Sequence, residues 1–357
     1  MRTAVVHVPL AAPARAAIFE VRAVDCVLVF LDTDDGLVGE GLVMTVNGRR
    51  LAVLHEMVRS LAPLVVGMDL RRVGSLAGRV RAELNFYGEA GVSMMGLAGV
   101  DMALFDLRAK FAELNVAAML GACRETVPAY ASGGLWLSHS VDALQEEAAS
   151  FLSRGFRAMK LRLGMPDPAE DVARVRAVRE VVGPAVALMA DANQQMTVPQ
   201  AIRLGRMLEE FGLTWFEEPV HYQNHDGEAA IAAALDTPLA SGESEYTARG
   251  MLTMLQRRSA DILMPDLQRM GGPTEFLKAA HVADVFDVPV SSHLYTEMSL
   301  PLLATLPNAI FLEHMPWFEP LYVEQVELNE AGDAIVPEQP GWGFTLNQEA
   351  IARFAAP

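Results

Sequence analysis

The sequence predicts an α/β protein: a barrel of parallel strands alternating with helices, carrying an α+β domain at its N-terminal end. Three observations predict it. From about Thr126, eight short apolar runs alternate with stretches of helical period, and glycines such as Gly155, Gly183 and Gly212 follow the helix ends. Three carboxylates, Asp191, Glu217 and Glu243, close the runs "VALMAD", "LTWFEE" and "TPLASGE" at two equal steps of 26 residues. A strand, a helix and their two loops consume about that length in a barrel. Before Thr126 the order differs, with strands first and helices after, as in an α+β domain.

Within residues 1–125, "DCVLVFLDTDDGLVGEGLV" reads as two strands joined at "DTDDG". Leu51 to Ala122 is helical in pattern. There "GVSMMGLAGVDMALFDLRAKFAELN" places Met95, Leu97, Val100, Met102, Ala103 and Leu107 on one stripe. Residues 126–320 hold the alternating units, beginning with "VPAYASGG" (strand), "SVDALQEEAASFLSRG" (helix) and "FRAMKLRLG" (strand). After Pro320 the helical rhythm stops. Residues 321–357 read as strands and turns that return to the first domain.

A chain of 357 residues has room for two domains. Its net charge of −17 argues against a nucleic-acid partner, which rewards a basic face. No apolar stretch reaches the roughly 18 residues of a membrane span, and the start lacks a signal-peptide pattern. A cytoplasmic protein is expected. Cys26, in a strand, and Cys123, in a loop, are expected to be buried or semi-buried thiols with no disulfide framework.

Three acids on successive strand tips offer hard oxygen ligands to a divalent cation, Mg²⁺ above all, unless they are unrelated strand-end acids. Lys160 and Arg162 are two apart, so on a strand both face the barrel interior while Met159, Leu161 and Leu163 face the helices. Two interior cations need anions or substrate beside them. Asn193 shares a face with Asp191 and is a substrate-binding candidate. Asp266 ends "DILMPD" and His293 ends "VPVSSH" on neighbouring strands, so a carboxylate can orient an imidazole and raise its basicity. Glu313 ends the next strand, and His314 should face the other way. Glu218, beside Glu217, should face away or support it. Ser132, Trp136, Tyr295 and Glu297 are candidate pocket contacts. His221 and His225 fall in a loop, and His7, His55, His139 and His281 have no convincing partners.

On these residues the chain closely resembles the enolase superfamily and, within it, the mandelate racemase subgroup (mandelate racemase/muconate lactonizing enzyme-like). The resemblance is carried by "AGVDMALFDLRAK", "KLR", "DAN", "EEP", "GE", "PDLQRMGG", "SSH" and "LE" in order along nearly the whole chain. It implies a modified TIM barrel, (β/α)7β, with an α+β N-terminal capping domain completed by the C-terminal tail. It implies that Asp191, Glu217 and Glu243 hold one Mg²⁺, and that the metal holds a substrate carboxylate while a base removes the α-proton to give an enediolate. Charge then concentrates on one carboxyl group, where a metal and fixed donors lower the barrier most. Glu313 matches a protonated electrophilic acid. Loops around Pro9 to Val21 and Met44 to Arg50 match those that close over substrate. A symmetric, dimer-based homo-oligomer is also implied, with an octamer among the open sizes.

One position departs from the subgroup's pattern. Its usual Lys-x-Lys has Arg162 in the second place, with Lys160 in the first. Arginine stays protonated and is a poor proton acceptor. A racemase needs a base on each face of the α-carbon, whereas a dehydratase can use His293 alone. The sequence therefore predicts Mg²⁺-dependent dehydration of an acid sugar, a 2,3-dihydroxy acid, to a 2-keto-3-deoxy acid. The alternatives are a racemase or epimerase of a 2-hydroxy or amino acid using Lys160 and His293, and a non-catalytic metal-binding barrel.

Overall fold

The computed structural model describes residues 1–16 and 19–356. The chain opens with an antiparallel sheet of β1 (Arg2–Arg15), β2 (Glu20–Asp32) and β3 (Val38–Val46), in that order. The expected hairpin at "DTDDG" is the β2–β3 connection, with Asp32 paired to Val38. One face of this sheet packs on the long helix Val92–Phe111. The close approach depends on Gly39 and Gly41, where a Cβ would run into the carbonyls of Ala103 and Gly99. A single apolar stripe was expected on this helix, but it is buried nearly all round, while Met95 and Leu97 from that stripe are only half-buried. The helix has neighbours on both sides: the sheet on one, and the rim helices Leu267–Met270 and Pro273–Val285 on the other.

The parallel barrel consists of β4 (Thr126–Ala131), β5 (Ala158–Arg162), β6 (Ala187–Asp191), β7 (Trp215–Glu217), β8 (Leu239–Ser241), β9 (Ile262–Leu263), β10 (Val290–Ser291) and β11 (Ala309–His314). Neighbours pair in sequence order, and β11 closes on β4 through Leu312↔Ala129 and Glu313↔Tyr130. Helices cross between every consecutive pair, from Val141–Ser153 to Thr296–Leu303, which is the (β/α)7β plan. Local chemistry sets their ends. Asp167 caps the helix that starts at Pro168, and Thr197 and Gln200 form a capping box.

Alternation along each strand sorts the barrel radially. Leu161, Leu188 and Phe216 face the helices and join the outer core. Tyr130, Met189 and Trp215 face inward and form a second core with Phe311 packed against it. Trp215 lies edge-on to Tyr130 at 5.3 Å and to Phe311 at 5.7 Å between ring centroids. This plug fills the interior and leaves only the C-terminal strand tips for polar groups.

The C-terminal tail was expected to return to the first domain. It first adds β12 (Asp333–Ile335) antiparallel to β4, with Ala334 opposite Val127. The first half of β4 has no partner in β5 or β11, so its edge is free to be covered. The tail then reaches the cap. Trp342 stacks at 6.5 Å on Phe105, and Ala356 N–H donates to the Val5 carbonyl. Asp106 ties these parts together: its carboxylate accepts from Glu40 N (2.8 Å) and Trp342 N (2.9 Å) and pairs with Lys110 (2.6 Å). Cys26 is buried as expected, but Cys123 is exposed because its loop lies on the surface. Among the described residues no helix is long and apolar enough to cross a membrane.

Glu228, on the helix His225–Ala232, is fully buried beneath β8. Ser241 Oγ donates to it at 2.5 Å. Burial pushes its carboxyl from the ordinary 4.5 up to about 8. The folded protein therefore keeps a proton that the unfolded chain releases, so stability is full at low pH and falls as pH rises from about 4.5 to about 8. Glu228→Gln should flatten this slope and raise the urea midpoint at pH 9; an unchanged slope would show that Glu228 is not its source.

Candidate active site

The site is assembled on strand tips. Lys160 and Arg162 point inward from β5, as the period-2 reading requires. Lys160 is 1% exposed and stands 5.4 Å from the centre of the Tyr130 ring. Its ammonium lies 2.6 Å from Glu217 Oε1, 3.1 Å from Glu313 Oε1 and 3.8 Å from Asp191 Oδ2. Burial alone would lower its pKa, but these carboxylates outweigh burial and raise it. Arg162 Nη2 donates to Ser132 Oγ (3.2 Å), and Nε lies 3.5 Å from Asp191 Oδ2. The guanidinium also sits 4.9 Å from the Trp136 ring centre. Its Nε and Nη1 are buried without hydrogen-bond partners, which points to an acceptor supplied by a ligand.

Asp191 and Glu217 face each other in register on β6 and β7. Glu243 follows two residues after β8, its backbone carbonyl accepting from Arg269 Nη1 at 2.7 Å. Burial raises the Glu217 carboxyl to about 7, with Asp191, Glu243 and Glu313 adding to the rise and Lys160 opposing it. Around Lys160 and Arg162 stand four carboxylates, Asp191, Glu217, Glu243 and Glu313, at the base of one cavity or on the adjoining strand tip. Hard oxygen donors under such a field fit a divalent cation. The three acids do not yet converge as the sequence led us to expect: among the described residues no three acidic, imidazole or thiol side chains stand at metal-binding spacing. Both Glu217 oxygens are taken, by Lys160 and by Trp215 Nε1 (2.8 Å). Both Asp191 oxygens accept from Asn193, at 2.8 Å from its N–H and 3.0 Å from Nδ2.

Asp266 and His293 meet across a parallel bridge, with His293 Nδ1 at 2.8 Å from Asp266 Oδ2. Arg269 N–H donates to Asp266 Oδ1 at 2.7 Å and fixes the carboxylate. With Nδ1 turned to Asp266, the proton-handling atom is Nε2, which lies 3.2 Å from Glu243 Oε2. Burial alone would lower the imidazole pKa; Glu243 and Asp266 outweigh it and bring it to about 9. Glu313 Oε1 accepts from Ser132 Oγ and Oε2 from Leu294 N, both at 2.6 Å. A protonated Glu313 was expected. Despite burial, Lys160, His293 and these hydrogen bonds hold its carboxyl below the usual carboxylate range.

A cavity of about 260 Å³ opens over these groups, lined at its base by Lys160, Arg162, Asp191, Glu243, His293 and Glu313. Asn193, Trp136 and Tyr295 also line it, whereas Ser132 lies behind Glu313, and Glu297 is buried elsewhere in the helix Thr296–Leu303. From the cap come Ala16, Phe19, Met44, Thr45 and Val46. Ala17 and Ile18, within the expected closing loop, lie outside the described residues. A larger hollow of about 660 Å³, beside the helix Gly74–Leu84, contains none of the expected site residues. Histidines ranked low by sequence do have partners, His7 with Asp25 and His139 with Glu147, away from the cavity.

Sequence reasoning missed Gln268. Its Oε1 accepts from Met44 N at 2.5 Å and from the Tyr295 hydroxyl, and its Nε2 donates to Met44 O at 3.0 Å. One amide thus imitates a neighbouring strand and pins the end of β3 to the barrel rim, two residues from Asp266. The motif "PDLQRMGG" marked the segment, but a partner 224 residues away left no local signal.

Residues 1–121 match the mandelate racemase / muconate lactonizing enzyme N-terminal domain, and residues 143–350 match the enolase C-terminal domain-like family. The chain is 34% identical over 297 residues to the L-talarate/galactarate dehydratase of Salmonella typhimurium, covering 83% of this chain and 74% of that protein. It is 30% identical over 335 residues to the arabinonate dehydratase of Saccharolobus solfataricus, covering 91% and 89%. The structure of L-talarate dehydratase from Polaromonas sp. JS666, complexed with Mg and L-glucarate, superposes with a TM-score of 0.94 at 34% identity, covering 99% of this chain and 96% of that one.

Replacing Gln268 by Leu removes the clamp and leaves the Met44 N–H and C=O unpaired. Such a loss is worth about 1–3 kcal/mol, or roughly 5- to 150-fold in local opening. Hydrogen exchange at the Met44 amide should quicken by that factor while exchange in β5 and β6 stays slow; unchanged protection would show that β3 is held by other contacts.

Proposed function

Since the chain belongs to the mandelate racemase/muconate lactonizing enzyme family of the enolase superfamily, we propose that it abstracts the α-proton of a carboxylate substrate and dehydrates an acid sugar. The observation that carries this reading is the Asp266–His293 pair at 2.8 Å, its Nε2 turned to the rim carboxylates across the cavity base. Asp191, Glu217 and Glu243 would hold Mg²⁺, which supplies Lewis-acid stabilisation of charge on the substrate's carboxylate when bound.

This chain's own residues account for the rest. With a cation held at Glu243, the carboxylate that raises the imidazole pKa is offset and neutral His293 is favoured. Its Nε2 takes the proton from C2 of a 2,3-dihydroxy acid, while Asp266 holds Nδ1–H and steadies the imidazolium. The unpartnered N–H groups of Arg162 bond the oxygen on which charge develops, and Lys160 stays beside it as a fixed cation. The C3–O bond then breaks, the imidazolium returns its proton to the leaving hydroxide, and water departs. The remaining enol ketonises to the 2-keto-3-deoxy acid. Epimerisation needs a second base on the opposite face. Arg162 cannot accept a proton there, and the Lys160 ammonium is already shared among Glu217, Glu313 and Asp191. The dehydratases among the similar proteins support the choice.

In this reading residues 1–125 and 321–357 form the cap and residues 126–320 the catalytic barrel, in a cytoplasmic, dimer-based homo-oligomer. Protein loaded with Mg²⁺ and offered a panel of mono- and diacid sugars should yield an α-keto acid, detectable as its semicarbazone. Chelation should abolish the signal and Mg²⁺ restore it. His293→Asn should lower kcat by about 10²–10⁴-fold with the fold unchanged by circular dichroism. Full turnover in that variant, or in chelated protein, would overturn the assignment.

A further inference from the structure

The cavity is polar only at its base. Its upper wall is formed by Phe19 and Met44 from the cap, Met95 from the long helix, and Met315 and Trp317 beyond β11, while Trp136, under the Arg162 guanidinium, belongs to the base. The polar side chains that reach this wall are engaged with protein. Thr45 Oγ1 donates to the Arg49 carbonyl, and Gln268 is occupied by Met44 and Tyr295. The cations that line the cavity are Lys160, Arg162, Arg269 and His293, and each faces a base carboxylate. Among the described residues, none stands on the upper wall. The partnerless groups, Arg162 Nε and Nη1 and Asn193 Oδ1, belong to the base.

The geometry points to a monocarboxylic substrate: a 2,3-dihydroxy acid whose end remote from C1 presents hydrocarbon, a terminal methyl or deoxygenated carbon, and carries no second carboxylate. This rests on the reaction assigned above and narrows its substrate class. The base satisfies one carboxylate and its vicinal hydroxyls. A second carboxylate would be carried into the methionine and tryptophan wall, stripped of water, with no cation to meet it. A methyl group there meets the wall in ordinary apolar contact.

The test is a matched series of six-carbon acids with identical configuration from C2 to C5, ending in methyl, hydroxymethyl or carboxylate. Each is assayed with the Mg²⁺-loaded protein for keto acid and, separately, for binding by calorimetry. We expect kcat/KM and affinity to fall in that order, by roughly 10-fold to the hydroxymethyl acid and about 10²-fold or more to the diacid. A diacid bound or turned over as well as the methyl-terminated acid overturns the inference. Binding in the expected order without keto acid from any member overturns the reaction assignment and supports the pocket inference. Binding of none overturns both.

Discussion

The constraint on which the rest of this structure depends is one buried ammonium shared by acids from three strands. Lys160 is 1% exposed and touches Glu217 and Glu313, with Asp191 close by. An unpaired charge at that depth would cost several kcal/mol, and so would each of the carboxylates. The groups are therefore stable only together. The apolar plug of Tyr130, Trp215 and Phe311 sets their height, because it fills the barrel below and leaves charged side chains only the strand tips. Strand register then sets their lateral order, with Arg162 opposite Asp191 and Asp191 opposite Glu217. An excess of anions around fixed cations, under a cap, is the environment in which a carbanion beside a carboxylate can be stabilised.

The cap joins this cluster at one well-defined place. Gln268 lies two residues beyond Asp266 and holds both backbone polar groups of Met44, while Tyr295, two residues beyond His293, donates to the same amide. The segments that orient the imidazole therefore also carry the latch that seats β3. Chemistry and enclosure share one set of contacts. The polar base and the apolar upper wall follow from the same division: the barrel tips supply charge, and the cap and the loops beyond β4 and β11 supply hydrocarbon.

The barrel was legible because its cues are local. Strand–helix alternation, the equal spacing of three strand-end acids and the period-2 placement of Lys160 and Arg162 all operate within a few tens of residues, and the closed parallel sheet agrees with them. The Asp266–His293 contact was legible for the same reason, as two tips on adjacent strands. What escaped the sequence is long-range or collective. The Gln268–Met44 clamp spans 224 residues. The pairing of β12 with β4 depends on how far β4 projects beyond its neighbours. The downward pull on the Glu313 carboxyl is a balance of burial against Lys160, His293 and two hydrogen bonds, which no motif encodes. Ser132 looked like a pocket contact, but its hydroxyl is spent behind Glu313.

In the present arrangement Glu217 is bonded through Oε1 to Lys160 and through Oε2 to Trp215, so a cation seated among the three acids would share a Glu217 oxygen with one of these donors or displace it. A crystal structure of the protein grown with Mg²⁺ tests this most directly. The account predicts an ion bounded by Asp191, Glu217 and Glu243. An ion located elsewhere, or no ion at saturating Mg²⁺, would contradict it.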